Sequence, residues 1–165
     1  MATHGPSHRG ARPGAAHAAL NPYASLALQS LLSGIVMYLV MFAMIDGLGS
    51  FYNNLNMLYM TMMMVAPMAV FMILGMRHMF GSAAANAAWL VGAALVFALS
   101  FALIRTQTTI HDRAFLRSMI PHHSGAILMC REATLEDAQI RELCRGIVDS
   151  QRREIAEMKA MLARM

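Results

Sequence analysis

An all-α fold is predicted, three transmembrane helices followed by an amphipathic helical hairpin, and three observations predict it. The 165 residues are 58% hydrophobic and only 13% charged, a balance too apolar for a soluble domain of this size. Three apolar runs, about Tyr23 to Ile45, Leu55 to Met76 and Ala84 to Ile104, contain no charged side chain, and each reaches the roughly 20 residues of helix that cross a bilayer. Beyond Arg105, apolar residues recur at three-and-four spacing among charged ones, which is the pattern of helices with one buried face. The lipid bilayer is the first partner these features imply.

The elements follow in order. Met1 to Leu20 is rich in Gly, Ala, Pro and His with scarcely any large apolar residue, so residues 1–20 are expected to be a disordered tail. Asn21-Pro22 supplies a cap and a first-turn proline for the opening helix. That first run is too long for the core of a signal peptide and is soon followed by a second, which reads as a retained anchor; residues 21–105 then form a three-span region. Asp46-Gly47-Leu48-Gly49-Ser50 ends the first span, and Phe51, Tyr52 and Tyr59 are placed as interfacial aromatic anchors. Arg77, His78 and Gly81-Ser82 mark the second connection. In the third span Ala94, Ala98 and Ala102 recur every four residues, spacing that permits close helix packing.

Charge sets the expected orientation. The tail carries Arg9 and Arg12, the second connection Arg77, and the first connection no Lys or Arg, which favours a cytoplasmic N-terminus and a C-terminal segment in the periplasm of a bacterial inner membrane. Arg105, Arg113 and Arg117 pull the other way, but long domains translocate largely regardless of charge. Most Lys and Arg follow the last span, where Asp and Glu nearly balance them, so the pattern is a solvated helix surface and no nucleic-acid partner is expected.

Residues 106–165 read as the hairpin. Its first arm runs from about Thr109 to Ala133 and its second from about Asp137 to Arg164, joined near Thr134-Leu135-Glu136, with Thr134 or Asp137 as cap. Ile140, Leu143, Cys144, Ile147, Gln151, Glu154, Ile155, Met158 and Leu162 form one face of the second arm. The matching face of the first arm is Phe115, Met119, His122, Ala126 and Met129, with His123 and Cys130 on its shoulder. So small a hairpin buries too little surface to stand alone. Pairing two copies into a four-helix bundle would close the apolar stripe, and a homo-oligomer, most simply a dimer, is expected.

The stretch FLRSMIPHHSGAILMCREA, residues 115–133, carries the chemistry. Thioether, imidazole and thiol together are soft ligands, which select Cu(I) and its relatives over Mg²⁺ or Ca²⁺. Met119 stands three and four residues from His122 and His123, so it can share a face with either. Adjacent histidines diverge by about 100° on a helix. Pro121 removes a hydrogen bond and crowds the carbonyl at Arg117, and a kink there would bring both rings to one site. Otherwise one ring is a hydrogen-bonded core residue and the other a surface residue. Glu154 within an apolar face must be paired or ligating; spacing alone points to a salt bridge with Arg113 or Arg117. Met129 and Met158 are either packing or thioether ligands. Cys130 and Cys144 lie at unequal distances from the turn, which disfavours a disulfide and leaves them open as soft ligands. The candidate metal ligands are thus Met119, His122, His123, Met129, Glu154 and Met158, with copper as Cu(I), or Ag(I), bound and no organic cofactor. No nucleophile–base pair, phosphate-cradling glycine loop or paired acid–base carboxylates are present in the pattern, so an enzyme is not expected.

Two further features bear on metal. Met60, Met64, Met68, Met72 and Met76 recur every four residues of the second span, as apolar filler or as the lining of a Cu(I) path. Met-x-x-x-Met in the second of three spans is similar to the eukaryotic high-affinity copper transporters. If the initiator Met is removed, Ala2-Thr3-His4 places an imidazole third from a free amine, which can hold Cu(II) in square-planar nitrogen coordination; the alternative reading is a disordered tail with incidental histidines.

The strings FLRSMIPHHSGAILMCREA and IRELCRGIVDSQRREIAEMKAML resemble the Met, His-His, Ala-Ile and Ile-x-x-x-Gln-x-x-Glu-Ile-x-x-Met patterns of the domain of unknown function 305 family. The resemblance covers roughly the last third of the chain and implies a ferritin-like helical domain, in a family that includes periplasmic proteins binding copper or silver through Met and His. By position Met119, His122, His123, Gln151, Glu154 and Met158 match the motif. Many members have more helices or a second His-Met segment, and positions 130 and 144 are commonly small or apolar where this chain has Cys, so a complete site here is expected to need two subunits. The function implied is membrane-anchored soft-metal binding for sequestration, delivery or tolerance, with a copper-handling protein as a partner. The rival readings are a structural or assembly subunit without metal and a Met-lined copper channel.

Overall fold

The computed structural model describes residues 21–165, which form five α-helices and no strand. The tail expected to be disordered, and its Ala2-Thr3-His4 motif, lie outside the described residues. Helices α1 (Pro22–Val40), α2 (Leu55–Gly75) and α3 (Ala83–Thr106) are followed by α4 (Asp112–Glu132) and α5 (Ala138–Arg164). With the 3₁₀ turn Met41–Met44 that extends α1, the apolar helices cover Pro22–Met44, Leu55–Gly75 and Ala83–Thr106, at mean hydropathies of 2.0, 2.0 and 2.4. All are long and apolar enough to cross a membrane. Each begins on a side-chain cap: Asn21 accepts from the Tyr23 N–H at 3.0 Å, Asn54 from Met57 at 2.9 Å and Ser82 from Ala85 at 3.3 Å.

Helix α2 sits between α1 and α3 and buries its small residues Thr61, Ala66 and Ala69, together with Ile73. Small side chains let backbones approach without a hydrophobic drive, which the bilayer does not supply. Gly34 serves the same end on α1, because a Cβ there would already touch Val65 Cγ2 at 3.4 Å. The alanine ladder of α3 does not share this role: Ala94, Ala98 and Ala102 are exposed, and Ala93 and Ser100 are buried instead. All three rungs lie on the side of α3 away from its buried residues, so the spacing alone does not tell which face packs. The α2 methionines drift around their helix by about 40° per four-residue step. Met60 and Met64 are 45% and 50% exposed on the outer surface, so within one chain they line no interior.

The two ends of the three-helix unit are held differently. At one end the Tyr23 hydroxyl donates to Asn86 Oδ1 at 2.9 Å and accepts from the Ser82 N–H at 3.2 Å, while its ring packs on Phe80 with centroids 5.3 Å apart. At the other, α3 ends on Gln107 in the left-handed conformation, φ 54°, a strain of about 1 kcal/mol for a side chain. The Gln107 amide is tied to Asn56 on α2 by reciprocal bonds of 3.0 and 3.2 Å, which hold it there.

From that second end α4 runs across the ends of the helices to the α1–α2 connection. The Asp46 N–H donates to Ser124 Oγ at 2.7 Å, and its carboxylate accepts from Arg131 at 2.7 Å. Gly125 eases this close approach, since a Cβ would lie 3.3 Å from the Met44 carbonyl oxygen, a tight contact. Tyr52 packs on the hairpin core of Leu116, Ile120, Ile127, Ile155 and Met158.

The hairpin therefore does not stand free, and its inner core is closed by the first connection, with no second copy needed for that. The inward face of α4 also differs from the expected one: Leu116, Ile120, His123 and Ile127 face inward, while Phe115, His122 and Met129 are exposed. The face is turned by one residue, about 100°, because α4 must satisfy α5 and the connection together. The first arm begins at Asp112, beyond the expected Thr109 and behind His111, which makes no side-chain cap, whereas the second begins where its capping signal puts it. Asp137 caps α5 by accepting from Gln139 at 2.7 Å and Ile140 at 3.0 Å.

Candidate metal centre

Helix α4 continues through Pro121, so the expected convergence of the two imidazoles does not occur. The His122 ring is exposed and stands 6.1 Å from that of His123, centroid to centroid, at 64° between planes. Consecutive positions diverge on a helix, and the proline bends that geometry too little to reverse it.

His123 points into the seam between α4 and α5 and is 8% exposed. Its Nδ1 lies 2.9 Å from the Met119 carbonyl, and its Nε2 lies 2.7 Å from Glu154 Oε2. A carbonyl oxygen only accepts, so Nδ1 must carry a proton. The contact at Nε2 is then either a donation from an imidazolium to the carboxylate or an acceptance from a protonated Glu154. Anchoring Nδ1–H on a backbone carbonyl also fixes the tautomer that leaves Nε2 as the ligating atom when the ring is neutral.

Glu154 therefore pairs with His123, and the expected ion pair with Arg113 or Arg117 is replaced. Both arginines belong to the outward half of α4 and are exposed. The Glu154 side chain is 48% exposed at the rim of the seam, so solvent reaches the pair. One turn further along α5, Met158 is 8% exposed in the hairpin core, and Met119 packs against that same core. Thus His123 and Glu154 meet in the seam, and Met119 and Met158 belong to the hairpin core that lies along it. His122 and Met129 are not part of it; Met129 is 59% exposed on the outer face of α4. Among the described residues no group of three or more His, Cys, Asp and Glu side chains is placed to hold a metal. Thioethers are consequently the added donors on which any site at His123 depends, and they select soft ions.

Cys130 and Cys144 form a disulfide, against the expectation from their unequal distances to the turn. The connection explains it. Ala133 and Asp137 are both extended, so the link climbs past the first turn of α5 and sets the last turn of α4 opposite its second. Sequence reasoning also missed the docking residues Asp46, Tyr52, Ser124, Gly125 and Arg131. The signals were present: Asp46 is the only Asp, Glu, Lys or Arg between Arg12 and Arg77, and Ser124-Gly125 places two small residues on the buried face of an otherwise bulky helix.

The family model described as Domain of unknown function (DUF305) matches residues 98–162, from the last turns of α3 through the hairpin. An uncharacterized protein, L153, of Acanthamoeba polyphaga mimivirus is 33% identical over 119 residues, a match covering 71% of this chain and 76% of that protein. No solved structure matches.

Proposed function

The chain belongs to the DUF305 family, and from that premise we propose that it is a membrane-anchored binder of a soft monovalent ion, Cu(I) or Ag(I), serving sequestration, delivery or tolerance rather than catalysis. The observation that carries the reading is the His123 seam: an oriented, buried imidazole with Glu154 at the rim and the thioethers of Met119 and Met158 in the adjoining core. An ion held at Nε2 would take the place of the proton between His123 and Glu154, which passes to solvent, so the net charge of the site would stay the same and Glu154 would remain as counter-charge or ligand. A low coordination number and soft donors are what Cu(I) accepts and what harder divalent ions do not.

His122 and Met129 enter the proposal through a second copy. With Phe115 they form the uncovered outer stripe of α4, alongside Ile140 and Leu143 at the start of α5. Pairing two hairpins through this surface would bury it as a four-helix bundle and bring a second histidine and thioether between subunits. The proposed setting is a bacterial inner membrane with the hairpin in the periplasm. In support, the first connection, which the hairpin contacts, carries Asp46 and no Lys or Arg, whereas Arg77 lies on the second. A copper-handling protein would be the donor or recipient.

Cu(I) titration of the full chain in detergent, with ascorbate as reductant so that the disulfide stays intact, tests the reading. His123→Ala and the Met119→Leu, Met158→Leu pair should each weaken binding at least tenfold, with helicity unchanged by circular dichroism. Binding equal to wild type in both variants overturns it.

A further inference from the structure

Beside the disulfide the structure has a concavity at the turn end of the hairpin, lined by Cys130, Cys144, Arg131, Arg141, Arg145 and Asp149. Three arginines thus line the same concavity as the two cysteines. Arg131 and Arg145 are engaged by Asp46 and Glu142, but Arg141 has no carboxylate partner among the described residues and donates to the carbonyls of Leu135 at 3.2 Å and Glu136 at 2.7 Å. The cysteine Cα atoms are 5.3 Å apart on two helices whose spacing is fixed by the core beneath them, so opening the S–S bond leaves the sulfurs facing each other.

We infer that Cys130 and Cys144 form a second soft-metal site, gated by reduction and separate from the His123 seam. A dithiol reductant supplies two electrons and two protons: the Cys130–Cys144 bond breaks, both sulfurs become thiols, and the reductant closes to its own disulfide. One Cu(I) then displaces both thiol protons and is held by two thiolates in linear coordination, leaving a unit of net charge −1. Metal–sulfur bonds of roughly 2.3 Å, as in zinc thiolates, ask for sulfurs about 4.6 Å apart, which rotation of two facing cysteine side chains supplies. The guanidiniums favour thiolate over thiol and offset the charge of the complex, with Arg141 the one free to do so without losing an acidic neighbour. Two donors suffice for Cu(I), so a group of three or more such ligands is not needed here.

The inference shares its metal with the proposed function but not its ligands, and the test separates them. The full chain in detergent is titrated with Cu(I) under anaerobic conditions, once with ascorbate and once after reduction by a phosphine that is then removed. Reduction should add one equivalent of Cu(I) per chain, with sulfur-only coordination in X-ray absorption. The Cys130→Ser, Cys144→Ser variant should lose that equivalent and keep the ascorbate binding, and Arg141→Gln should weaken it about tenfold. If the double variant does not fold, alkylation of the reduced wild type should remove the same equivalent. No gain on reduction, or a gain that survives both serine substitution and alkylation, overturns the inference. Loss of the ascorbate binding alone would sink the His123 reading and leave this one standing.

Discussion

Leu99 on α3 and Leu143 on α5 are each 63% exposed, yet the two regions they belong to give that number opposite meanings. In the three-helix unit, exposed Leu31, Val40, Leu95 and Leu99 sit on helices apolar all round, and a bilayer is the solvent that accepts them. In the hairpin, Phe115, Met129, Ile140 and Leu143 stand out from helices that also expose many charged residues, among them Arg113, Arg117, Arg141, Arg145 and Arg152. Water faces those positions, so the apolar ones ask for a cover. The stabilising surfaces differ in kind as well. Small residues line much of the contact among α1, α2 and α3, with one buried apolar cluster of Leu26, Ala69, Ile73 and Phe80 at the Tyr23 end, whereas the hairpin core is made of Leu116, Ile120, Ile127, Ile155 and Met158.

The contrast breaks most visibly at Ile120, which is fully buried. Ile120→Ala should destabilise the hairpin by about 2–5 kcal/mol, whereas Leu99→Ala should cost under about 0.5 kcal/mol, since lipid replaces the lost contacts. Denaturant unfolding in detergent, followed by circular dichroism, compares the two, and similar losses would mean that both regions share one kind of core. A smaller effect is expected for Phe115→Glu combined with Leu143→Glu. Self-association should weaken at least tenfold, about 1.4 kcal/mol, with helicity preserved; sedimentation in density-matched detergent reads it, and an unchanged oligomer would remove this face from the subunit contact. The smallest expected effect is that of Asp46→Asn. The Arg131–Asp46 pair is 49% and 27% exposed, so its loss should cost about 0.5–1 kcal/mol and show mainly as faster amide exchange around residues 44–54.

What the sequence disclosed divides along the same line. The apolar runs and their limits were legible because a bilayer demands uncharged stretches of fixed length, and α4 and α5 because amphipathic spacing and the Asp137 cap are local signals. Phase was harder. An error of one residue on α4 exchanged His123 for His122 and Leu116 for Phe115, since a helix touching two neighbours does not centre its buried face on either. Contacts between distant residues were not legible at all: Asp46 meets Ser124 and Arg131 across 78 and 85 positions, and no periodicity reports that. Of the candidate site, spacing placed Glu154 on the inner face of α5, but not its pairing with His123, which only the packing of the two helices reveals.

The unequal fastening of the helix ends has a mechanical consequence. Where α4 meets the first connection and the start of α2, that end of the unit is splinted by an ion pair, an amide pair and a packed tyrosine. The opposite ends are held by the Tyr23 hydroxyl and ring and by a buried apolar cluster of Leu26, Ala69, Ile73 and Phe80. When the surrounding bilayer thins, thickens or bends, the directional bonds should keep the hairpin in its pose, while the apolar packing, which has no fixed direction to lose, takes up the adjustment.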